Sequence, residues 1–280
     1  MTRIAIQGEL GSNSHMAALA MLRGEPRLEI IACSLSAEVM ERVVGGDADG
    51  AVLPIENSLH GSVAEHYDLL LEQPVRIVRE SLLHIRHNLI AAPGVRLEQV
   101  KRVLSHPVAL AQCRRFFNQN RQMQAVPFYD TAGSVKYVVA EGLQDAAGVA
   151  PLLAAEQYGG EVLVEGIEDH AANFTRFHLI LPAGAPHTES GPPNKMSLAF
   201  AVDHRPGTLV AALERLYEAK VDLTKIESRP VPGSPWEYVF YVDGRFASEE
   251  AADAAIAALR QSCRMVKELG RYVAAQPLAS

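Results

Sequence analysis

The sequence predicts two parts: an α/β region of about 180 residues built on a largely parallel sheet, then a smaller α+β module with a ferredoxin-like element order. Three observations carry this. Short β-branched runs alternate with helical patterns through the first part. The stretch 182–194, PAGAPHTESGPPN, holds four prolines and two glycines without apolar periodicity and reads as a linker. Beyond it the patterns run β-α-β-β-α-β.

In the first part, residues 3–7 read as a strand and 15–22 as a helix. A strand at 29–35, a helix at 37–44 and a short buried strand at 51–55 follow. The pattern is helical at 62–71 and extended from 75 to 91, where apolar and polar residues alternate in the first half. Further on come a helix at 108–117, an extended run at 124–129, a helix at 134–140, a strand at 147–150 and a helix at 152–158. A strand at 174–181 closes the region. In the second part, a strand at 195–202 precedes a helix at 208–219, and strands at 223–230 and 236–243 are joined by the Pro- and Gly-bearing 231–235. The alanine-rich 248–262 is a helix with Ser248 as N-cap ahead of Glu249 and Glu250, and 265–272 is the last strand.

Composition narrows the function. The chain has 280 residues, 48% hydrophobic and 21% charged, which suits a folded protein with a sizeable core. A formal net charge of −7 without a long basic run argues against nucleic acid and against a membrane surface as partners. Cys33, Cys113 and Cys263 are far apart and form no CxxC pair, which points to a reducing compartment. The first residues read as a strand rather than a signal peptide, and no window holds 18 uncharged apolar residues, so a cytoplasmic location is expected. His84 and His87 have no companion ligands, and GxSxG is absent, so metal and serine-hydrolase chemistry are not expected.

Five segments carry polar groups where strands run into helices or begin. Gly8 to Ser14 (GELGSNS) suits a tight turn with an N-cap and backbone N–H groups facing an anion. Pro54 to Ser62 (PIENSLHGS) places Glu56, Asn57 and Ser58 after an apolar strand, with Gly61 at the next helix start. Ser105, His106 and Pro107 end a strand and open the helix that holds Gln112. Asp130, Thr131 and Ala132 form another capped junction. Asn173 to Phe177 (NFTRF) starts a strand, where alternation puts Phe174 and Arg176 on one face and Thr175 and Phe177 on the other. Each has a plain alternative as a cap, a turn or a half-buried strand; together they could surround one cleft.

Taken in order and spacing, these motifs resemble the prephenate dehydratase family. The carriers are Pro-Ile-Glu-Asn-Ser with Gly61, Ser-His-Pro with Gln112, Asp-Thr-Ala and, above all, Asn-Phe-Thr-Arg-Phe. The second part is similar to the ACT domain through Pro-Gly-Thr-Leu-Val at 206–210 and Glu-Ser-Arg-Pro at 227–230. The resemblance implies a two-lobed, periplasmic-binding-protein-like catalytic domain at 1–181, with lobe one at about 1–78 and 160–181 and lobe two at about 79–159. A linker at 182–194 and an ACT regulatory domain at 195–280 would follow.

The implied activity is decarboxylating dehydration of prephenate to phenylpyruvate, with neither metal nor organic cofactor. Phenylalanine would act as effector and the chain would form a homodimer or homotetramer. Thr175, Arg176 and Phe177 are the expected catalytic group. Expected substrate contacts are Glu56, Asn57, Ser58, Gly61, Ser105, His106, Gln112, Thr131, Ala132, Asn173 and Phe174. The expected effector residues are Gly207, Thr208, Leu209, Val210, Glu227, Ser228, Arg229 and Pro230. Glu56, Asn57 and His106 remain open as proton-relay partners of Thr175. The first loop departs from the family, which usually has Gly-Pro-x-Gly-Thr and an aromatic; here Glu9, Ser12 and Asn13 stand instead. Arogenate dehydratase and a non-catalytic amino-acid sensor are the competing readings; an appended chorismate mutase is rejected, because a strand begins at Arg3.

Overall fold

A computed structural model describes residues 1–187, 191–231 and 236–275. In chain order its elements are β1 (Thr2–Gln7), α1 (Asn13–Met21), β2 (Leu28–Cys33), α2 (Ser36–Val44), β3 (Gly50–Asn57), β4 (Gly61–Ser62), α3 (Ala64–Glu72), β5 (Val75–His84) and β6 (Asn88–Ala91). Next are β7 (Arg102–Ser105), α4 (Pro107–Ala111), α5 (Arg114–Gln119), β8 (Gln124–Pro127), α6 (Thr131–Ala140), β9 (Ala146–Ala150), α7 (Leu152–Tyr158), β10 (Glu161–Val164) and β11 (Phe174–Pro182). The remainder are β12 (Lys195–Ala201), α8 (Thr208–Glu218), β13 (Asp222–Pro230), β14 (Tyr238–Arg245), α9 (Glu249–Ser262) and β15 (Met265–Tyr272).

The described residues form two compact units, one of residues 1–63 and 81–177, the other of 64–80 and 178–275. The first unit carries two sheets. In one, the order is β11-β3-β1-β2, with β1 parallel to both neighbours and β4 antiparallel to β3. Its centre is fully apolar: Ile4, Ala5, Ile6, Ala51, Val52 and Leu53 are buried on both faces, as parallel strands between helices require. The other sheet runs β10-β6-β9-β7-β8. Here β7 is parallel to β8 and β9, while β6 is antiparallel to β9 and β10 is antiparallel to β6. Parallel pairing thus dominates the first sheet, and the second is mixed.

Three details correct the sequence reading. The extended run 75–91 breaks at residues 85–87, where Ile85 N–H bonds to the Asn173 carbonyl and His87 N–H to Glu168. The single helix read at 108–117 is two, because the chain turns at Gln112–Cys113 and Asp169 caps α5 through Arg114 N and Arg115 N. Residues 161–164 form β10, paired with β6 in the second sheet, whereas residue 160 onward was expected in the first lobe. Four residues behind Gly159 and Gly160 give too short an alternation to mark a strand; the partner in β6 makes it one.

In the second unit the order is β13-β14-β12-β15-β5, with β12, β13, β14 and β15 mutually antiparallel where they pair. The amphipathic α8 and α9 place Ala212, Leu216, Ala252, Ala255, Ile256 and Leu259 against Met196, Leu198 and Phe200 of β12. Ser248 caps α9 by accepting from Ala251 N at 3.3 Å, as expected from the sequence. α3 and the start of β5 belong to this unit rather than with the residues before them. Arg229 pairs with Asp68, Lys267 donates to the last carbonyls of α3, and Tyr67 meets Tyr241 with ring centres 5.1 Å apart. A charge on those C-terminal carbonyls also opposes the negative end of the α3 dipole. A buried pair, Lys195 with Glu80 at 3.0 Å, ties β12 to β5. Pro182 ends β11, and residues 183–187 and 191–194 have neither helix nor strand. The rest of the linker expectation, 188–190, and 232–235 of the β13–β14 connection lie outside the described residues.

Candidate active site

Within the first unit a cavity of about 380 Å³ opens among the strand-to-helix junctions. That volume suits a small metabolite. Its walls come from the β1–α1 loop (Gly8, Glu9, Ser12, Asn13), the end of β3 (Pro54, Asn57), the β5–β6 break (Ile85, His87), the starts of α4 and α6 (His106, Tyr129, Asp130, Thr131) and the start of β11 (Thr175, Phe177). Gln112, between α4 and α5, joins them.

Two glycines make the first wall. Gly8 has φ +100° and Gly11 φ +84°, in the left-handed region that side chains resist. A Cβ on Gly8 would stand 2.8 Å from Asp130 Oδ2, and one on Gly11 2.8 Å from the Ala154 Cα. The loop thus lies directly against α6 and α7. Ser12 then caps α1, accepting from His15 N, and His15 Nδ1 accepts from Gly11 N at 2.9 Å. Asp130 caps α6 through Gly133 N at 2.7 Å. Both helix starts line the cavity, so their positive dipole ends favour an anion there.

A hydrogen-bonded network sets the wall where β3 meets β11. Asn57 Nδ2 donates to Asn173 Oδ1 (2.8 Å), the Phe174 carbonyl (3.2 Å) and Thr175 Oγ1 (3.0 Å). Asn57 Oδ1 accepts from Leu59 N and His60 N, both at 3.0 Å, which fixes the turn after β3. Asn173 Nδ2 donates to Gln112 Oε1 at 2.9 Å. His87 Nε2 donates to the same oxygen at 2.8 Å, so its neutral ring presents Nδ1 as an acceptor, and Nδ1 has no partner. Burial lowers the His87 pKa, with the Gln112 bond working against it, and burial also lowers that of His15. At the cavity mouth Glu9 accepts from Tyr129 OH (2.8 Å) and Lys136 Nζ (2.9 Å). Burial raises the Glu9 carboxyl, but these two bonds and the lysine charge outweigh it and hold it below the usual carboxylate range. Asp130 is pushed up, chiefly by burial.

Of the residues singled out in the sequence, Asn57, His106, Gln112, Thr131, Thr175 and Phe177 line the cavity. Others stand behind the wall. Asn173 is wholly buried and bonds Asn57 and Gln112. Ser58 accepts from Phe174 N and donates to the Ala172 carbonyl. Ser105 is buried, donating to the Val149 carbonyl. Ala132 is buried in α6, Phe174 stacks on His84, and Gly61 is exposed in β4. Arg176 and Glu56 form a pair at 3.9 Å and neither lines the cavity, as alternation along β11 required of Arg176. His87, Tyr129 and Ser34 were not among the expected contacts, whereas Glu9, Ser12 and Asn13 belong to the first loop that was expected to face an anion and also line the cavity.

In the second unit a cavity of about 340 Å³ is lined by Gly207, Thr208, Leu209 and Val210 with Asp203, Trp236 and Phe240. Glu227, Ser228, Arg229 and Pro230 do not line it; they lie along β13, with Arg229 held by Asp68. No group of His, Cys, Asp and Glu suited to a metal occurs among the described residues, and none of their helices is long and apolar enough to cross a membrane.

A prephenate dehydratase family model matches residues 4–184. Arogenate dehydratase 2 of Petunia hybrida is 39% identical over 96% of this chain and 71% of its own length. The arogenate dehydratase/prephenate dehydratase 2 of Arabidopsis thaliana, a chloroplastic protein, is 38% identical over 96% and 72%. Among solved structures, prephenate dehydratase of Arthrobacter aurescens in complex with L-Phe is 33% identical with a TM-score of 0.88, over 99% of this chain and 92% of that one. A protein described as GqqA, a novel type of quorum-quenching acylase, is also 33% identical, with a TM-score of 0.86 over 98% of both chains.

Proposed function

The chain belongs to the prephenate dehydratase family, a group of hydro-lyases, and from that premise we propose that its first-unit cavity carries out decarboxylating dehydration of a prephenate-type ring, with Thr175 at the reacting centre. One observation carries the assignment of residues. Asn57 Nδ2 donates to Thr175 Oγ1 at 3.0 Å, so the hydroxyl proton of Thr175 is left to point into the cleft. There it donates to the ring hydroxyl as that group departs. The ring C–O bond and the bond to the carboxylate break together: the carboxylate leaves as CO2, its bonding pair completes the aromatic ring, and the hydroxyl leaves with the C–O pair and becomes water with a proton relayed from solvent through Thr175. Donation to such a leaving group is worth about 100- to 10,000-fold in rate. Thr is a weak acid, and the amide that holds its oxygen makes its proton a better hydrogen-bond donor.

Asn57 is therefore the partner favoured for Thr175, and His106, which also lines the cavity, has Nδ1 committed to Val108 N. Asn173, Gln112 and His87 position Asn57 through its amide. The starts of α1 and α6 receive carboxylates, and Phe177 packs the floor beside Thr175. Arg176 acts from behind, holding Glu56.

The second unit fits an ACT-type regulatory module. Its β-α-β-β-α-β order, with strands arranged β13-β14-β12-β15, is that of the ferredoxin-like fold. L-Phenylalanine would enter the cavity beside Gly207–Val210, with Glu227–Pro230 completing the site from a second copy in a homodimer or homotetramer. It must bind one assembled state better than another to inhibit. The chain as a whole then works as a cytoplasmic enzyme without cofactor. The test is release of phenylpyruvate from prephenate by the purified protein, beside Thr175→Ala and with phenylalanine added. Turnover that is lost in the variant and falls with phenylalanine supports site and sensor; no turnover of either prephenate or arogenate sinks the catalytic reading.

A further inference from the structure

The substrate of this reaction is an anion, yet the cavity offers it no formal cation. Among the described residues that line it, Glu9 and Asp130 carry carboxyls and none is Lys or Arg. Of the two histidines on the wall, His87 has its pKa lowered by burial, and His106 Nδ1 is occupied as the acceptor of Val108 N. Lys136 reaches Glu9 from outside the lining, half-exposed, and answers only one of the two acids. The acids are adjacent: the Gly8 backbone packs against Asp130 Oδ2, and Glu9 follows it. Independently of the acids, His87 marks this cavity as a ligand site, being 2% exposed with an unpartnered Nδ1. A buried acceptor of that kind is costly to leave unmade.

We infer that Glu9, with Asp130 beside it, forms a subsite for an ammonium group and tilts this chain toward arogenate over prephenate. The two substrates share the ring, its hydroxyl and both carboxylates. They differ where prephenate has a keto group and arogenate an ammonium, next to the side-chain carboxylate. The keto compound brings two negative charges toward Glu9 and Asp130 and has only the two helix starts to offset them. The amino compound brings a donor that both acids accept, and the start of α1 lies within the same loop for the neighbouring carboxylate. Glu9 is thereby a specificity-determining residue. The inference rests on the dehydratase reading above.

The test compares kcat/KM for arogenate and prephenate in the wild type, Glu9→Gln and Lys136→Met. The wild type should favour arogenate. Glu9→Gln removes one acid and frees the lysine, so the arogenate-to-prephenate ratio should fall about tenfold, the order expected for one partly exposed charge contact and its replacement by a like charge. Lys136→Met leaves Glu9 unanswered, so the ratio should rise. A merely structural clasp predicts otherwise: both variants break the same ion pair and would move the ratio the same way, or not at all. Either of those results, or a wild type that prefers prephenate, overturns the inference while leaving the dehydratase reading intact. A wild type that turns over neither compound fails at the earlier step.

Discussion

Replacing Asn57 with Asp reverses one set of donors without changing shape. The carboxylate still accepts from Leu59 N and His60 N, now at 3.0 Å with a charge that strengthens both bonds, so the turn after β3 holds. The other oxygen stands where Nδ2 stood, 3.0 Å from Thr175 Oγ1. An acceptor there takes the Thr175 proton, and the hydroxyl can no longer give it to substrate. Asn173 Oδ1, 2.8 Å away, loses its donor, whereas the Phe174 carbonyl keeps the Ser58 N–H at 2.8 Å. One part-buried acceptor left unmade at about 1–3 kcal/mol, partly offset by the stronger turn, costs the fold about 1–2 kcal/mol. For a unit of this size that lowers its melting temperature by roughly 2–8 °C, leaving it folded at 25 °C. The catalytic effect is far larger: kcat should fall about 100- to 10,000-fold, with KM little changed, because the lost contact is made to the departing group. Steady-state rates at 25 °C for Asn57→Asp, Thr175→Ala and the double variant decide the matter. The double variant should be no slower than Thr175→Ala, since both changes remove one proton donation. A folded Asn57→Asp protein with kcat within threefold of the wild type, or a double variant in which the two losses multiply, would refute the arrangement.

Other perturbations reach different parts of the molecule. His87 is buried with a lowered pKa, so the unfolded chain binds a proton that the folded one refuses. Stability is therefore full above about pH 6.5 and falls as pH drops below it. Thermal melts of wild type and His87→Gln at pH 7.5 and 5.5 should show the wild type losing more on acidification. Gly11→Ala sets a Cβ 2.8 Å from the Ala154 Cα at φ +84°, so it should destabilise by about 1–3 kcal/mol and raise KM by parting the loop from α7; denaturant titration and substrate titration check the two effects. In the second unit, Lys195→Met takes the lysine charge from the buried Glu80 carboxylate, which keeps the Ala275 N–H, and should cost about 3–5 kcal/mol, whereas Lys195→Met with Glu80→Leu should recover much of it. Paired unfolding curves measure the difference.

Much of the fold was legible because it is local. Short apolar runs marked β1, β2 and β3, and helical patterns with capping residues marked α1, α2 and α9, all signals carried by neighbouring residues. Met265–Tyr272 coincides with the strand read from its sequence. Elements that exist through a distant partner were missed or blurred. β10 depends on β6, β4 on the Glu56 and Asn57 edge of β3, and the break between α4 and α5 on Asp169. The grouping of α3 with the second unit depends on Lys267 and Arg229, nearly 200 and 161 positions further along the chain.

The site divides in the same way. The sequence by itself determined the family motifs and the side chains at each strand end, and alternation along 174–177 already separated Thr175 and Phe177 from Arg176. Only the tertiary structure decided what each group does there. It bonded Asn57 to Thr175 across 118 positions, brought His87 to Gln112, turned Glu56 away to Arg176, and set Glu9 against Tyr129 and Lys136 more than a hundred residues away. The physical reason is range. Propensity and periodicity act over one or two turns of chain, whereas hydrogen bonds and charges act over a few ångströms of space, and only folding makes those two distances the same.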